Sequence, residues 1–172
     1  ELLRIYPVEQ KIDITKLLEI LEPISPRLYS IASSPAAHGN SEVHVTVSRN
    51  KFYVDNHERF GLCSDYLAQL HEGDTLDFYI HKNNTFRLPN ANADVILIGP
   101  GTGIAPFRSF LFERDAKGDA GRNWLFFGEQ HFTSDFLYQT EMLSLFDTGV
   151  LTKLNTAFSR DQQEKIYVQH RL

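Results

Sequence analysis

Residues 95–107, Val-Ile-Leu-Ile-Gly-Pro-Gly-Thr-Gly-Ile-Ala-Pro-Phe, combine the residue types and spacing needed to dock an anion. Gly99, Gly101 and Gly103 let the backbone turn sharply and approach a ligand with no side chain between. The apolar run 95–98 predicts a short strand buried on both faces, as in a parallel sheet. Pro106 suits the first turn of a helix, and Phe107, Phe110 and Leu111 give that helix an apolar face. Strand, glycine turn and helix together make an anion site, because the free N–H groups of the first turn point at whatever docks there. A pyrophosphate is the natural guest, although the spacing is not the plain G-x-G-x-x-G fingerprint.

Three more constellations carry chemistry. In Arg27-x-Tyr29-Ser30 the arginine can hold a phosphate, the tyrosine can stack on a flat heterocycle and the serine can bond a ring nitrogen. Gly61-Leu62-Cys63-Ser64 is a second glycine turn into a helix, hence a second candidate pyrophosphate cradle. Ser159-Arg160, followed by Lys165, Tyr167 and Gln169, gathers cations, a hydroxyl and an aromatic just after a strand. Open α/β sheets bind ligands beyond the carboxyl ends of their strands, and a phosphate beside a purine would use all these groups. Two phosphate cradles suggest two nucleotides. The plain structural alternatives are a surface strand bearing a tyrosine and a solvated basic turn.

The elements that must position these residues fall into two textures. Residues 1–12 read as irregular or edge strand. Residues 13–22 predict a helix capped by Asp13 and stopped before Pro23, with Ile14, Leu17, Leu18 and Leu21 as core packing. Strands are expected over 26–35, 42–48 (Val43, Val45 and Val47 inward) and 75–80, and a short helix capped by Ser64 or Asp65. Past a boundary at about residue 91 the pattern becomes βαβ: strand 95–98, its helix, a polar loop 118–122 and strand 124–128. A helix over 135–146 with Phe136, Tyr138, Leu143 and Phe146 apolar follows, then strand 150–158 and a next unit opening at 165–168. The expected domains are 1–91, antiparallel β, and 92–172, parallel α/β.

A net charge of −5 over 172 residues argues against a general nucleic-acid or membrane-surface binder. No apolar run approaches the roughly 20 residues that span a bilayer. One cysteine, Cys63, excludes an internal disulfide or a cysteine-rich zinc site, and the seven histidines show no ligand spacing. Glu1 at the start and the strand-like run before Leu172 suggest that both ends continue in a longer polypeptide.

In order and in content, these motifs resemble the diflavin branch of the ferredoxin-NADP reductase superfamily, and within it the flavoprotein (alpha) subunits of NADPH-sulfite reductase. The resemblance covers nearly the whole chain: Pro-Arg-Leu-Tyr-Ser-Ile-Ala-Ser-Ser (26–34), Phe-Arg-Leu-Pro (86–89), residues 98–108, Ser-Arg-Asp (159–161) and Lys-Ile-Tyr-Val-Gln (165–169). Cytochrome P450 reductase and nitric oxide synthase reductase domains share the glycine and Arg-x-Tyr-Ser motifs. Asn-Trp-Leu-Phe-Phe-Gly (123–128), His-Phe-Thr (131–133) and Asp-Phe-Leu-Tyr-Gln (135–139) point to the sulfite reductase subunit.

The resemblance implies an antiparallel β-barrel that binds FAD, present in part, followed by an α/β NADP-binding domain. Arg27, Leu28, Tyr29 and Ser30 would bind FAD, with Arg27 on the pyrophosphate, Tyr29 against the isoalloxazine and Ser30 as the catalytic hydroxyl near its N5. Thr46, Val47 and Ser48 would line the flavin, Phe52 would stand where relatives often carry a tyrosine, and Gly61, Leu62, Cys63 and Ser64 would hold the pyrophosphate. Gly101 and Thr102 would take the NADPH pyrophosphate, and Ser159, Arg160, Lys165, Ile166, Tyr167, Val168 and Gln169 its 2′-phosphate end. Ser48 and the Leu62-Cys63 pair depart from the family pattern. The implied enzyme is cytoplasmic and carries FMN on a further domain of the same polypeptide, which passes electrons to a hemoprotein (beta) subunit. The barrel has fewer strand signals than the family needs. Cys63, in the pyrophosphate turn, cannot replace the cysteine that relatives place near the nicotinamide. A stand-alone ferredoxin or flavodoxin reductase, and a nucleotide-binding module without redox activity, are the alternatives.

Overall fold

The structure, a computed structural model, describes Pro7 and residues 13–172. The edge-strand expectation for residues 1–12 therefore lies, apart from Pro7, outside the described residues.

The second half is organised by a parallel sheet of order β3-β4-β5, formed by β3 (Val95–Ile98), β4 (Asn123–Glu129) and β5 (Lys153–Phe158). Leu97 pairs with Leu125, and Leu125 with Leu154, so the apolar positions stay in register across the sheet. Two helices cover one face: α4 (Ala105–Lys117) and, after a short turn α5 (Phe132–Asp135), α6 (Gln139–Asp147). Leu97, Ile104, Leu111, Leu125, Phe127, Met142, Leu145 and Leu151 form the core between them. Among the described residues the opposite face holds a small cluster of Phe126, Ala157 and Val168, flanked by Trp124 and Ile166.

This arrangement corrects two expectations. The run 95–98 is not buried on both faces: Ile96 is 62 % and Ile98 45 % exposed, because β3 is an edge of the described sheet and the helices cover only the side of Leu97. β4 is the doubly covered strand. The helix expected over 135–146 is broken at Tyr138, whose φ of 57° is left-handed. The break rotates the register, so Met142 and Leu145 are buried while Leu143 and Phe146 stay exposed.

In the first half, α1 (Ile14–Ile20) is capped as expected, Asp13 Oδ1 accepting from the Thr15 amide at 2.9 Å. Its apolar side is not core: Ile14, Leu18 and Leu21 are exposed. An amphipathic stripe fixes a face, but the covering surface must come from elsewhere. A short helix, α2 (Pro35–His38), leads to a hairpin of β1 (Lys51–Val54) and β2 (His57–Phe60). Asp55 and Asn56 close it at φ 49° and 61°, the double positive-φ turn that matches strand twist. α3 (Leu62–Ala68) follows.

The strands expected over 26–35, 42–48 and 75–80 are not formed; a single antiparallel bridge, Ile31 to Val45, is all that pairs them among the described residues. Nor is there a closed barrel among those residues. Alternation marks an extended chain, and a strand also needs a partner to take its backbone bonds. The 42–48 segment even turns the other way: Val43 and Val45 are exposed, while His44 and Thr46 face the α/β half. α4 docks that half through Ser109 Oγ donating to Ser33 O (2.7 Å) and Ser34 Oγ donating to Glu113 (2.5 Å). Phe86 adds a stacked contact with Phe110, ring centres 5.4 Å apart.

Candidate functional site

A cleft of about 460 Å³ opens beyond the carboxyl ends of all three parallel strands. Its floor is the glycine turn after β3, where residues 101–104 form a 3₁₀ turn that runs directly into α4. Gly99 has no room for any side chain: a Cβ there would lie 2.7 Å from Gly103 O and from Phe107 Cδ2. Gly101 sits at φ +56°, with Glu129 Oε1 3.2 Å from where its Cβ would be. The turn is thus bare backbone at the point a ligand would approach most closely.

The walls come from the two following strands. Gly128 permits the 3₁₀ turn Val168–His170 to lie against β4, since a Cβ there would meet Val168 Cγ2 at 2.4 Å. Ser159, Arg160, Lys165, Tyr167, Val168 and Gln169 all line the cleft, as the sequence pattern implies. Val168 is buried and holds this segment in place, while Tyr167 keeps 43 % of its surface open. Arg160 and Lys165 are exposed, and neither has an ion-pair partner among the described residues. Two cations without an ion-pair partner among the described residues share this cleft with the Gly101 turn, which fits an anionic, phosphate-bearing ligand. Two of the expected residues stand apart: Thr102 is exposed on the turn, and Ile166 packs with Phe126, Ala157 and Val168.

The other expected site is assembled in part. Tyr29 lies against Cys63, bringing the Arg-x-Tyr-Ser segment to the glycine turn at 61. Burial and the Cys63 thiol push the Tyr29 hydroxyl up from its ordinary value, against the pull of Arg27. Gly61, not Ser64 or Asp65, caps α3. The buried Ser64 hydroxyl is occupied within the turn, donating to Gly61 O (3.1 Å) and accepting from the Asn50 amide (3.0 Å). Thr46 Oγ1 is likewise paired, 2.5 Å from the Tyr138 hydroxyl. Leu28, Ser30, Ser48, Phe52 and Leu62 are exposed and Val47 half-buried. The Arg27–Tyr29–Cys63 grouping suits a flat, phosphate-bearing ligand such as a flavin nucleotide, with Tyr29 offering a ring face and Arg27 a charge.

Sequence reasoning missed Glu129 and Gln130, which line the cleft, and gave no role to Asp161 and His131, which brace its rim although both lie in motifs that carry the resemblance. Their signal is position: Glu129 ends β4, Gln130 and His131 follow it, and Asp161 lies three residues past β5, at the end of the sheet where ligands bind.

Two family models match the chain: an FAD binding domain over residues 1–66 and an oxidoreductase NAD-binding domain over 97–172. The sulfite reductase [NADPH] flavoprotein alpha-component of Shewanella oneidensis is 52 % identical over 167 residues, 96 % of this chain and 27 % of the relative. Those of Vibrio vulnificus (51 %, over 95 % of this chain and 27 % of the relative) and Sodalis glossinidius (52 %, over 100 % and 28 %) match as well. Over nearly its whole length the chain is similar to these sulfite reductase flavoprotein alpha-components. It spans about a quarter of the length of these curated relatives. The NAD-binding match begins at Leu97, inside β3, and takes in every residue that lines the cleft. The FAD-binding match ends at Tyr66, inside α3, and takes in Arg27, Tyr29 and Cys63. Among the described residues no helix is long and apolar enough to cross a membrane.

Proposed function

We propose that the chain is the FAD- and NADPH-binding part of a flavoprotein reductase that passes electrons from NADPH through FAD toward a sulfite reductase hemoprotein. The observation that carries this is the convergence of Gly101, Ser159, Arg160, Lys165, Tyr167 and Gln169 on one cleft at the carboxyl end of the parallel sheet. Gly101 would take the pyrophosphate on bare backbone. Ser159, Arg160 and Lys165 would meet the 2′-phosphate, and Tyr167 would stack on the adenine.

When bound, the nicotinamide supplies a hydride and the flavin accepts it. The chain's own residues orient and exclude. Arg27 would hold the flavin's pyrophosphate, Tyr29 would cover its ring, and the amides of the 61–64 turn would add donors. Ser30, at the edge of that group, would place a hydroxyl beside the reacting ring nitrogen. On this reading residues 1–91 are a portion of an FAD-binding barrel and residues 92–172 a portion of the NADP-binding domain. The relatives' greater length leaves room for an FMN domain in the same polypeptide, and their description as an alpha-component supports assembly with a further, hemoprotein subunit; on this reading the assembly is cytoplasmic.

The test is kcat/KM for NADPH and NADH with the full polypeptide, with and without Arg160→Ala. Two charge-assisted bonds at roughly 1.5–3 kcal/mol each give an expected NADPH preference of about a hundredfold or more. Near-equal efficiencies in the unmutated protein overturn the assignment.

A further inference from the structure

Asp161, the residue after Arg160, is tied down through its side chain. Asp161 Oδ2 accepts from the Phe132 amide at 2.8 Å, and Asp161 Oδ1 is 2.9 Å from His131 Nδ1. Just before it, the Ser159 amide donates to Glu129 O and the Arg160 amide to Gln130 O, each at 2.9 Å. Four bonds thus lace residues 159–161 onto residues 129–132, continuing the β4–β5 ladder past the ends of both strands. The last two depend on one side chain. The Phe132 amide and His131 hold the Asp161 carboxyl below its usual range, which keeps it an ionised acceptor.

Beyond Asp161 the chain crosses an exposed, irregular stretch before Lys165 and Tyr167 return to the cleft. Arg160 has no ion-pair partner among the described residues, so no neighbouring charge orients it and its anchored backbone is its tether. A flexible cation loses affinity to the entropy of being ordered, and a fixed backbone removes part of that cost before the ligand arrives.

We propose that Asp161 is a positioning residue for recognition of the 2′-phosphate: it pins the Arg160 arm against the β4 loop so that the guanidinium is presented to the cleft. The inference rests on the cleft being the NADPH site. Asp161 touches no ligand itself; it acts through Arg160.

The experiment compares 2′,5′-ADP and 5′-AMP binding by calorimetry in the full polypeptide, unmutated and as Asp161→Ala, His131→Ala and Asp161→Asn. Asp161→Ala is expected to weaken 2′,5′-ADP by about three- to tenfold, the ordering cost of one long side chain, and 5′-AMP by less than about twofold. His131→Ala removes one tether and leaves the Phe132 amide satisfied, so it is expected to show a smaller loss of the same selectivity. Asp161→Asn keeps an acceptor for that amide and is expected to fall between the unmutated protein and the alanine variant. Equal weakening of both ligands, or an unchanged ratio in all three variants, overturns the proposal. An unmutated protein that binds the two ligands equally overturns the NADPH reading itself, and the proposal with it.

Discussion

Arg108 grips Glu141 with both arms of its guanidinium: Nε donates to Oε2 at 2.5 Å and Nη2 to Oε1 at 2.8 Å. The third nitrogen, Nη1, donates to Ala32 O at 2.8 Å, across to the other half of the chain. The arginine is 6 % exposed and lies between the rings of Phe112 and Tyr138. A single side chain of α4 therefore holds together the start of α6 and the chain just past the Arg-x-Tyr-Ser motif. The motif that forms the glycine floor of the cleft ends in the residue that joins the two halves.

Replacing Arg108 by methionine keeps much of the volume but leaves the Glu141 carboxylate and the Ala32 carbonyl without their donor. Removing one partner of a buried pair costs about 3–5 kcal/mol, and Glu141's partial exposure brings the expected loss to about 2–3 kcal/mol. Urea unfolding of Arg108→Met, Glu141→Gln and the double variant checks this, with the double variant losing less than the sum of the singles. Strict additivity would show that the pair is not coupled.

Gly128→Ala tests whether the cleft wall depends on close packing. The added Cβ would lie 2.4 Å from Val168 Cγ2, a β-branched atom with little freedom to move. Displacing Val168 carries Tyr167 and Gln169 with it. The expected result is a loss of about 1–3 kcal/mol in stability together with weaker 2′,5′-ADP binding. Calorimetric binding at native affinity would show that the wall adapts.

Much of this was legible in the sequence where local chemistry decides the outcome. The glycine turn with Pro106 in the first turn of its helix, the Asp13 cap and the clustering of Ser159, Arg160, Lys165, Tyr167 and Gln169 all follow from residue type and order. What failed depended on partners. Thr75 to Ile80 alternates like a strand, yet no neighbour pairs with it among the described residues, and Phe78 and Ile80 stay 67 % exposed. Periodicity likewise could not foresee the left-handed Tyr138 that splits the 135–146 helix, because its hydroxyl is held by Thr46, 92 positions away in sequence. The 51–60 hairpin was missed although Asp55-Asn56 was its signal. Both residues tolerate positive φ, and the run on either side lacks clean alternation.

Tyr29→Ala is expected to lower FAD retention while leaving the fold intact. Loss of an aromatic stacking partner costs on the order of 1 kcal/mol beyond the lost area. Tyr29 is only half-buried, so its removal opens no core cavity. The measurement is the FAD-to-protein ratio of the full polypeptide after gel filtration, beside a circular-dichroism melt. Stoichiometric FAD in the variant would make Tyr29 a surface residue that no flavin touches.

Glu113 gives the contact between the halves a dependence on acid. Its carboxylate takes the Lys117 ammonium on one oxygen, and on the other the Ser34 hydroxyl at 2.5 Å and the Ala36 amide at 3.4 Å. The Lys117 bond first, then the Ser34 hydroxyl, hold its pKa below the ordinary 4.5 in spite of partial burial. A carboxyl depressed on folding stabilises the native state above its unfolded pKa, and that contribution disappears as pH falls through the folded value. Glu113→Gln is therefore expected to melt lower than the unmutated protein at pH 7, by about 1 kcal/mol for a partly exposed charged pair. The gap should narrow as pH drops below 4.5, because protonation then does to the native residue what the substitution did. Asp94 and Asp161 are depressed as well, so both proteins weaken in acid; the informative quantity is the difference between them. A gap that stays constant down to strongly acidic pH would mean that Glu113 contributes by its shape and hydrogen bonds and not by its charge.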